Sequence, residues 1–341
     1  MIRRSLFLPC MLVFASLSAQ SQQPEAKTLQ ETAKTFTRQG DYSNAIMVLT
    51  GAVQKEPQNM ELQKDLAFNY YLQRDYPKGL NVARPLTERP DADVQCYQIA
   101  GMLYKAIDES KECERLYKAG IKKFPQSGVL YNEYGEMLFA RQDNSGAIKQ
   151  WEKGIEVDPT YSSNYYNASR FYYFTMDKIW SILYGEIFVN LESYSKRTAE
   201  IKDVLLESYK KLYTGEDVMK DQTTRSPFAL ACLGMYASLK PVVAQGITTE
   251  SLILLRTKFI LAWFEKYPST YPFRLFEYQR QLLKDGMFDA YNQWIFGAAE
   301  NLTTFQNWSN THGDEYKRFV GFQQGRVFKL PEGQYYQTGG K

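Results

Sequence analysis

The sequence predicts an all-α protein built from helical hairpins that repeat every 34 residues. Two sets of small residues and one set of large residues carry this period. The small sets are Ala33, Ala67, Gly101, Gly135 and Ser169, and Ala45, Gly79, Cys113, Ala147 and Ser181; the large set is Phe36, Tyr70, Tyr104, Leu138 and Tyr172. Because antiparallel helices approach closely only where side chains are small, the small residues mark the contact within each hairpin.

Residues 128–161 show one repeat in full. In the first half, Tyr131 and Leu138 fall on one helical face, and Trp151 lies on the corresponding face of the second half. Between the halves, residues 142–146 are small and polar, which is typical of a turn that also caps a helix. The stretch therefore predicts two helices joined by a short turn.

This repeat resembles the tetratricopeptide repeat, whose pattern is W-x2-L-G-x2-Y, then A-x3-F, then P. The matching residues are Tyr131, Tyr134, Gly135, Leu138, Ala147, Trp151 and Pro159, and units begin near Ala26, Met60, Val94, Gly128 and Ser162. The resemblance covers about half the chain. It implies an α-α superhelix of stacked hairpins over residues 26–193, a solenoid whose concave groove binds a partner.

The N-terminal residues 1–21 resemble a secretory signal peptide. Arg3 and Arg4 precede a short apolar run from Leu6 to Leu17, and small residues follow it. The run is shorter than a membrane-spanning helix requires, although an uncleaved anchor is the alternative reading. The sequence therefore predicts an exported bacterial protein, located in the periplasm or cell envelope or secreted.

Composition and charge exclude several classes of protein. The formal charge of +3 falls to +1 without Arg3 and Arg4, and a near-neutral chain argues against nucleic acid as partner. No apolar run after residue 21 is long and uncharged enough to span a membrane. The remaining cysteines, Cys96, Cys113 and Cys232, are expected to be small core residues without a disulfide.

After the repeats, residues 194–330 predict further helices, read as degenerate hairpins that continue or cap the array; a separate helical domain is the alternative. An amphipathic pattern runs from Ala199 to Tyr213, and residues 214–227 form a polar loop. A helical pattern follows at Phe228–Leu239, and Thr248 and Thr249 can cap a further helix that runs to Lys266. Phe273–Gly297 is typical of a helix pair. Residues 331–341 are expected to be a poorly ordered tail.

The sequence contains few of the residues and motifs that are typical of enzymes. The single histidine, His312, lies in a predicted loop, and no nucleophile, zinc or phosphate-binding motif is present. The sequence therefore predicts no enzyme, no cofactor and no metal site. An unrecognised catalytic site within residues 194–330 remains the alternative, and it requires a deep polar pocket with clustered carboxylates.

Aromatic residues are abundant, with 26 Tyr, 20 Phe and 5 Trp. Most are expected to pack between helices, but one stripe beside the buried face is more apolar than a solvated surface needs. By resemblance to the family, this stripe lines the partner-binding groove. Its candidate residues are Lys64, Phe68, Tyr71, Met102, Lys105, Asn132, Glu136, Phe139, Tyr166, Arg170 and Tyr173. The alternative is that residues 194–330 fold back and cover them.

These features predict a protein–protein interaction scaffold of the cell envelope that holds a partner segment in its groove. An apolar floor with charged edges is the usual anatomy of such a groove. The alternative from another class is an envelope polysaccharide-binding protein that uses exposed aromatic rings. The identity of the partner does not follow from the sequence.

Overall fold

The computed structural model describes residues 19–337, with side chains from residue 27 onward. Residues 1–18 of the predicted signal peptide and residues 338–341 of the predicted tail lie outside this range. The described residues form helices, turns and irregular segments, without a β-strand. The predicted all-α class is therefore confirmed.

The helices are numbered in chain order. They are α1 (Ala19–Gln39), α2 (Tyr42–Lys55), α3 (Met60–Leu72), α4 (Tyr76–Thr87), α5 (Val94–Ala106), α6 (Ser110–Lys123), α7 (Gly128–Ala140), α8 (Asn144–Val157), α9 (Ser162–Tyr173), α10 (Lys178–Leu191), α11 (Lys196–Leu212), α12 (Pro227–Ser238), α13 (Thr249–Lys266), α14 (Arg274–Lys284), α15 (Phe288–Asn292), α16 (Ala298–Glu300), α17 (Leu302–Thr311) and α18 (Gly313–Gln324). A 3-10 turn at Lys240–Val243 precedes α13, and a π-helical turn at Gln293–Gly297 joins α15 to α16.

Helices α1 to α10 form five consecutive hairpins. The first helices of the second to fifth hairpins begin at Met60, Val94, Gly128 and Ser162, where the sequence predicts them. The first helix begins earlier, at Ala19. The predicted array of helical hairpins is therefore confirmed.

The turns within the first four hairpins share one backbone conformation. Gly40, Arg74, Asp108 and Gln142 stand at the 34-residue period, and their φ angles are 78°, 65°, 58° and 64°. After each of them, the next N–H bonds the carbonyl five residues earlier, as Asp143 does to Leu138 at 2.9 Å. This left-handed residue stops the first helix and reverses the chain.

Contacts within a hairpin explain the small residues of the repeat. At Gly101 an added Cβ would overlap the ring of Tyr117, and at Gly135 it would overlap the indole of Trp151. The Cys113 thiol also lies 3.7 Å from the Gly101 carbonyl oxygen. An aromatic ring from the second helix therefore lies directly over the backbone of the first helix.

The chain divides into two compact units, Met1–Ala119 and Gly120–Lys341. In the first unit, the apolar core is continuous from one hairpin to the next. One cluster joins α1, α2 and α3, and another joins α3, α4 and α5. Polar contacts also link successive first helices, since Thr37 donates to Asn69 at 2.8 Å.

The second unit is organised around α10, whose residues Ile179 to Asn190 are all buried. It packs against α9, α11 and α12. Helix α11 begins at Lys196, which is 34 residues after the start of α9, so it takes the place of a sixth first helix. The sequence-predicted boundary near residue 193 falls inside this unit.

A buried polar cluster fixes the later helices to α10. Glu186 pairs with the guanidinium of Arg256 and accepts hydrogen bonds from Gln279 at 2.6 Å and Tyr291 at 2.8 Å. Arg256 also donates to Asn292. Such a cluster is costly unless its charges are paired, and here the guanidinium lies against the carboxylate. The predicted helices of residues 194–330 are thus packed onto the repeat array of this unit.

The C-terminal segment differs from expectation. Residues 331–337 were expected to be poorly ordered, but they pack against the helices of the second unit. Gln337 donates to Glu152 and, at 2.9 Å, to Tyr172, and the Tyr336 ring stacks on Phe228 with centroids 4.6 Å apart. The sequence pattern missed this because the partners lie far away along the chain.

The sequence also predicts no membrane-spanning run after residue 21 and no disulfide among the three remaining cysteines. Among the described residues, no helix combines the length and apolar character that crossing a membrane requires. Cys96, Cys113 and Cys232 are buried and form no disulfide with one another, as predicted.

Candidate functional site

The predicted groove residues fall in both units. In the first unit, Phe68 and Tyr71 stack with ring centroids 6.3 Å apart. Both are half-buried against the cluster that contains Leu103. Both rings therefore contribute to packing within this unit. Met102 and Lys105 are also half-buried.

Lys64 is a structural residue of the first unit. Its side chain is only 2% exposed, and Nζ pairs with Asp93 at 2.6 Å and Glu61 at 2.7 Å. Burial lowers the pKa of Lys64, but the hydrogen bonds to Asp93 and Glu61 outweigh it and raise the pKa. A buried, doubly paired ammonium is not accessible to a partner, so Lys64 is withdrawn from the candidate surface.

In the second unit, Asn132 is buried and serves to position a neighbouring carboxylate. Its amide donates to Glu136 at 3.0 Å, and Asn167 of α9 donates to the side-chain oxygen of Asn132 at 2.9 Å. Asn132 is 3% exposed, so it too is withdrawn as a direct partner contact. Glu136 is exposed, and the two amides hold it at the edge between α7 and α9.

A pocket of about 690 Å³ lies between α7, α8 and α9 in the second unit. Four of the predicted residues line it, namely Glu136, Phe139, Tyr166 and Arg170. The pocket also includes Asn167, Ala140, Asn144, Trp151, Phe171, Phe174 and Thr175. The predicted stripe therefore converges on one concave site in this unit.

Aromatic rings form the apolar wall of the pocket. Phe139 packs on Trp151 with centroids 5.7 Å apart, and Trp151 lies edge-on to Phe171 at 6.5 Å. Trp151 is buried, while Phe139 is 51% and Phe174 is 80% exposed. Exposed rings beside a rigid aromatic base are characteristic of an interaction site.

The opposite edge of the pocket is polar and charge-balanced. Tyr166 donates to Glu200 at 2.6 Å, and the Arg170 guanidinium pairs with the same carboxylate at 2.8 Å. Arg170 also lies 5.1 Å from the Tyr166 ring. Burial raises the pKa of the Tyr166 hydroxyl, and donation to Glu200 raises it further, so this group remains a donor at neutral pH.

Helix α11 covers part of the predicted stripe. It carries Glu200, and its Lys211 ammonium lies 3.5 Å from the centroid of Tyr173. Tyr173 is half-buried and does not line the pocket. The later helices thus cover the edge of the stripe at Tyr173 and leave Phe139 and Phe174 exposed.

Sequence reasoning missed the contribution of Trp151, Phe171 and Phe174. The sequence indicates Trp151 only as a signature position of the repeat, and neither Phe171 nor Phe174 is among the predicted site residues. Phe174 directly follows the end of α9, and Met176, two residues further along the chain, is 52% exposed. A search for aromatic residues at helix ends beside the stripe could have found Phe174.

The described residues contain no group of three His, Cys, Asp or Glu side chains placed to hold a metal ion. His312 is exposed and stacks on Trp308 with ring centroids 4.8 Å apart. The polar cluster around Arg256, which lies in the region of the predicted alternative site, has one carboxylate; it comes from Glu186 of α10, and Arg256 neutralises it. This cluster explains packing, and the pocket between α7 and α9 is the better candidate for function.

The hairpins keep the 34-residue spacing on which the resemblance to the tetratricopeptide repeat rests. No family model matches the sequence, and no curated protein matches it. Among solved structures, MamA from Desulfovibrio magneticus RS-1 is 16% identical, with a TM-score of 0.37 over 49% of this chain and 93% of that chain. A tetratricopeptide repeat protein from Parabacteroides merdae ATCC 43184 is 15% identical, with a TM-score of 0.42 over 86% of this chain and 98% of that chain.

Proposed function

We propose that this protein is a protein–protein interaction scaffold that binds a segment of a partner in the pocket between α7 and α9. The observation that carries the proposal is the pair of exposed rings, Phe139 and Phe174, beside a buried aromatic base. Apolar rings exposed at a concave site lose contact with water when a partner covers them, which favours association.

The pocket indicates the chemistry of the bound segment. Its wall takes a bulky apolar side chain such as Leu, Met, Phe or Trp, and its volume exceeds that of one such side chain. The rim carries Glu136 on one side and the Arg170–Glu200 pair on the other. An apolar anchor with polar neighbours on both sides therefore fits this site.

We further propose that the protein works outside the cytoplasm, at the cell envelope. The support is the pattern of residues 1–21, with two arginines before a short apolar run. A small surplus of positive charge in the remaining chain is compatible with a protein partner and gives no basis for nucleic-acid binding.

Site-specific photo-crosslinking tests the pocket. A benzoylphenylalanine placed at Phe139 should form a discrete adduct with a partner in envelope extract. A matched probe at Leu261, which is 57% exposed on α13, should not. Adducts of equal yield at both positions would count against the pocket.

Alanine variants then separate binding from stability. Phe139→Ala and Phe174→Ala should each weaken capture of the crosslinked partner by about 1–3 kcal/mol, as aromatic anchors do. Because both rings are largely exposed, the melting temperature should change little. A large loss of stability with unchanged capture would show that the rings serve the fold instead.

A further inference from the structure

The C-terminal segment, residues 331–337, lies as an extended chain in a cleft of the second unit. The cleft is bordered by α8 and α9 on one side and by α12 and α14 on the other, as the contacts of Tyr336 and Gln337 show. The segment contains no helix or strand, and residues 334–337 are half-buried. It is held by side-chain contacts rather than by burial in a core.

Three residues, Gln334, Tyr336 and Gln337, anchor the segment. The Gln334 side chain accepts from the backbone N–H of Arg274 at 2.7 Å. This bond supplies a helix cap, because Phe273 at the start of α14 has no side-chain cap of its own. Tyr336 donates through its hydroxyl to the Pro272 carbonyl at 2.7 Å, and Ser226 donates to the Tyr336 carbonyl.

The third anchor joins the segment to the repeats. The Gln337 amide donates to Glu152 of α8 and to Tyr172 of α9, and Tyr172 itself donates to Glu152 at 2.7 Å. The four residues 334–337 thus meet two repeat helices and two later helices. A dense set of specific hydrogen bonds to one short extended segment is the way in which proteins recognise peptides.

The cleft is wider than the segment that occupies it. A cavity of about 930 Å³ runs alongside Tyr335 and Tyr336 and is also lined by Lys153, Glu156 and Tyr271. Because residues 334–337 are only half-buried and open space lies beside them, local opening of this segment has a low cost. The segment can therefore leave the cleft while the helices remain folded.

We propose that this cleft is a peptide-binding site, occupied in cis by the chain's own residues 334–337, Gln-Tyr-Tyr-Gln. The ligand class is an extended segment with a tyrosine that stacks on Phe228 and a following amide side chain that reaches Glu152. The C-terminal segment acts as a resident competitor, so the cleft binds the same sequence in trans only when the resident segment is weakened. This proposal is independent of the pocket between α7 and α9.

The test uses the full chain and a labelled peptide of residues 329–341, with binding followed by fluorescence anisotropy. The full-chain variant Tyr336→Ala/Gln337→Ala should bind the peptide at least about tenfold more tightly than the unaltered chain, because the resident segment no longer competes. A peptide that carries Tyr336→Ala should lose about tenfold or more in affinity for that variant. A control peptide with Lys329→Ala, which changes an exposed residue that does not line the cavity, should bind as the parent does.

Each remaining outcome overturns the proposal. Equal binding to the two chains would show that the resident segment does not occlude the site. No binding to a variant that retains its helical circular dichroism would show that the cleft only packs its own tail. If the double variant loses its helicity, the single variant Gln337→Ala serves in its place, and the same two outcomes apply.

Discussion

At Gly135 the missing side chain makes room for the indole ring of Trp151 on the second helix of the hairpin. The same pair of positions, 16 residues apart, holds Gly101 with Tyr117. In the first hairpin the corresponding residues are Ala33 and Leu49, and both are buried. In these three hairpins a larger residue on the second helix is matched by a smaller residue on the first, as close packing requires. The second hairpin has two small residues, Ala67 and Ala83, at these positions.

This matching predicts coupled effects of substitution. Gly135→Ala should destabilise the chain by about 1–3 kcal/mol, because the new methyl group overlaps the indole ring. In the double variant Gly135→Ala/Trp151→Leu, which reproduces the pairing of the first hairpin, the loss should be smaller than the sum of the single losses. Denaturant midpoints of the four proteins measure the coupling, and additivity within about 0.5 kcal/mol would contradict the matching.

The burial of Glu152 predicts that the stability of the folded chain depends on pH. Burial raises the pKa of this carboxyl to about 7, although hydrogen bonds from Tyr172, Gln337 and Tyr184 act in the opposite direction. The folded chain therefore holds a proton that the unfolded chain releases near its ordinary pKa of 4.5. The resulting stability is present below about pH 4.5 and is lost as the pH rises to about 7 and above.

The variant Glu152→Gln removes this dependence, since the amide is neutral at every pH. At pH 8.5 it should be more stable than the unaltered chain by roughly 1–3 kcal/mol, and at pH 4.5 the advantage should disappear. Melting temperatures at the two pH values measure the difference. An equal shift at both values would mean that Glu152 is already charged in the folded chain throughout this range.

At the scale of the element, the turns of the hairpins use the same left-handed residue with different side chains. Gly40 adopts this conformation without steric cost, whereas Gln142 carries a Cβ into it. Nothing lies within 4 Å of a Cβ built on Gly40, so the backbone alone decides the effect of a substitution there. Gly40→Ala should therefore destabilise by about 1 kcal/mol, and Gln142→Gly should be neutral or stabilising by up to about 1 kcal/mol. Thermal melts of the two variants that shift in the same direction would contradict this account.

The sequence predicts where the helices begin, but it does not predict which polar side chains are buried. Starts at Met60, Val94, Gly128 and Ser162 follow from a local period, because each hairpin packs mainly on its neighbours. The burial of Lys64 depends on Asp93, which lies 29 residues away and caps the next first helix, α5. Sequence patterns report which face a residue takes on its own helix, but they do not report the partner that another helix supplies.

The sequence likewise predicts only some of the residues that form the candidate site. The stripe gave Glu136, Phe139, Tyr166 and Arg170 of the pocket, since residues one helical turn apart share a face. Phe174 was missed because it follows the end of α9, where helical spacing no longer applies. The C-terminal segment was missed because its contacts, such as Gln337 with Glu152, span 185 residues.

At the scale of the whole chain, removal of the proposed signal peptide on export changes the number of cysteine thiols per chain. The sequence contains four cysteines, and one of them, Cys10, lies in the proposed signal peptide. Burial raises the pKa of the Cys96 thiol to about 11 and holds that of Cys232 well above its ordinary value. In the native chain, reaction of these thiols with a disulfide reagent should therefore be slow, because the thiolate is the reactive form.

Denaturation should expose every thiol, so the count reports whether residues 1–21 have been removed. Protein recovered from the envelope of its host should give three thiols per chain, and its N-terminal sequence should begin near residue 22. The chain made in the cytoplasm without export should give four, which makes it the matched control. Four thiols in the envelope fraction would show that the segment is retained, as an uncleaved anchor requires. Fewer than three would show that a disulfide forms in the host, against the separate, buried cysteines of the structure.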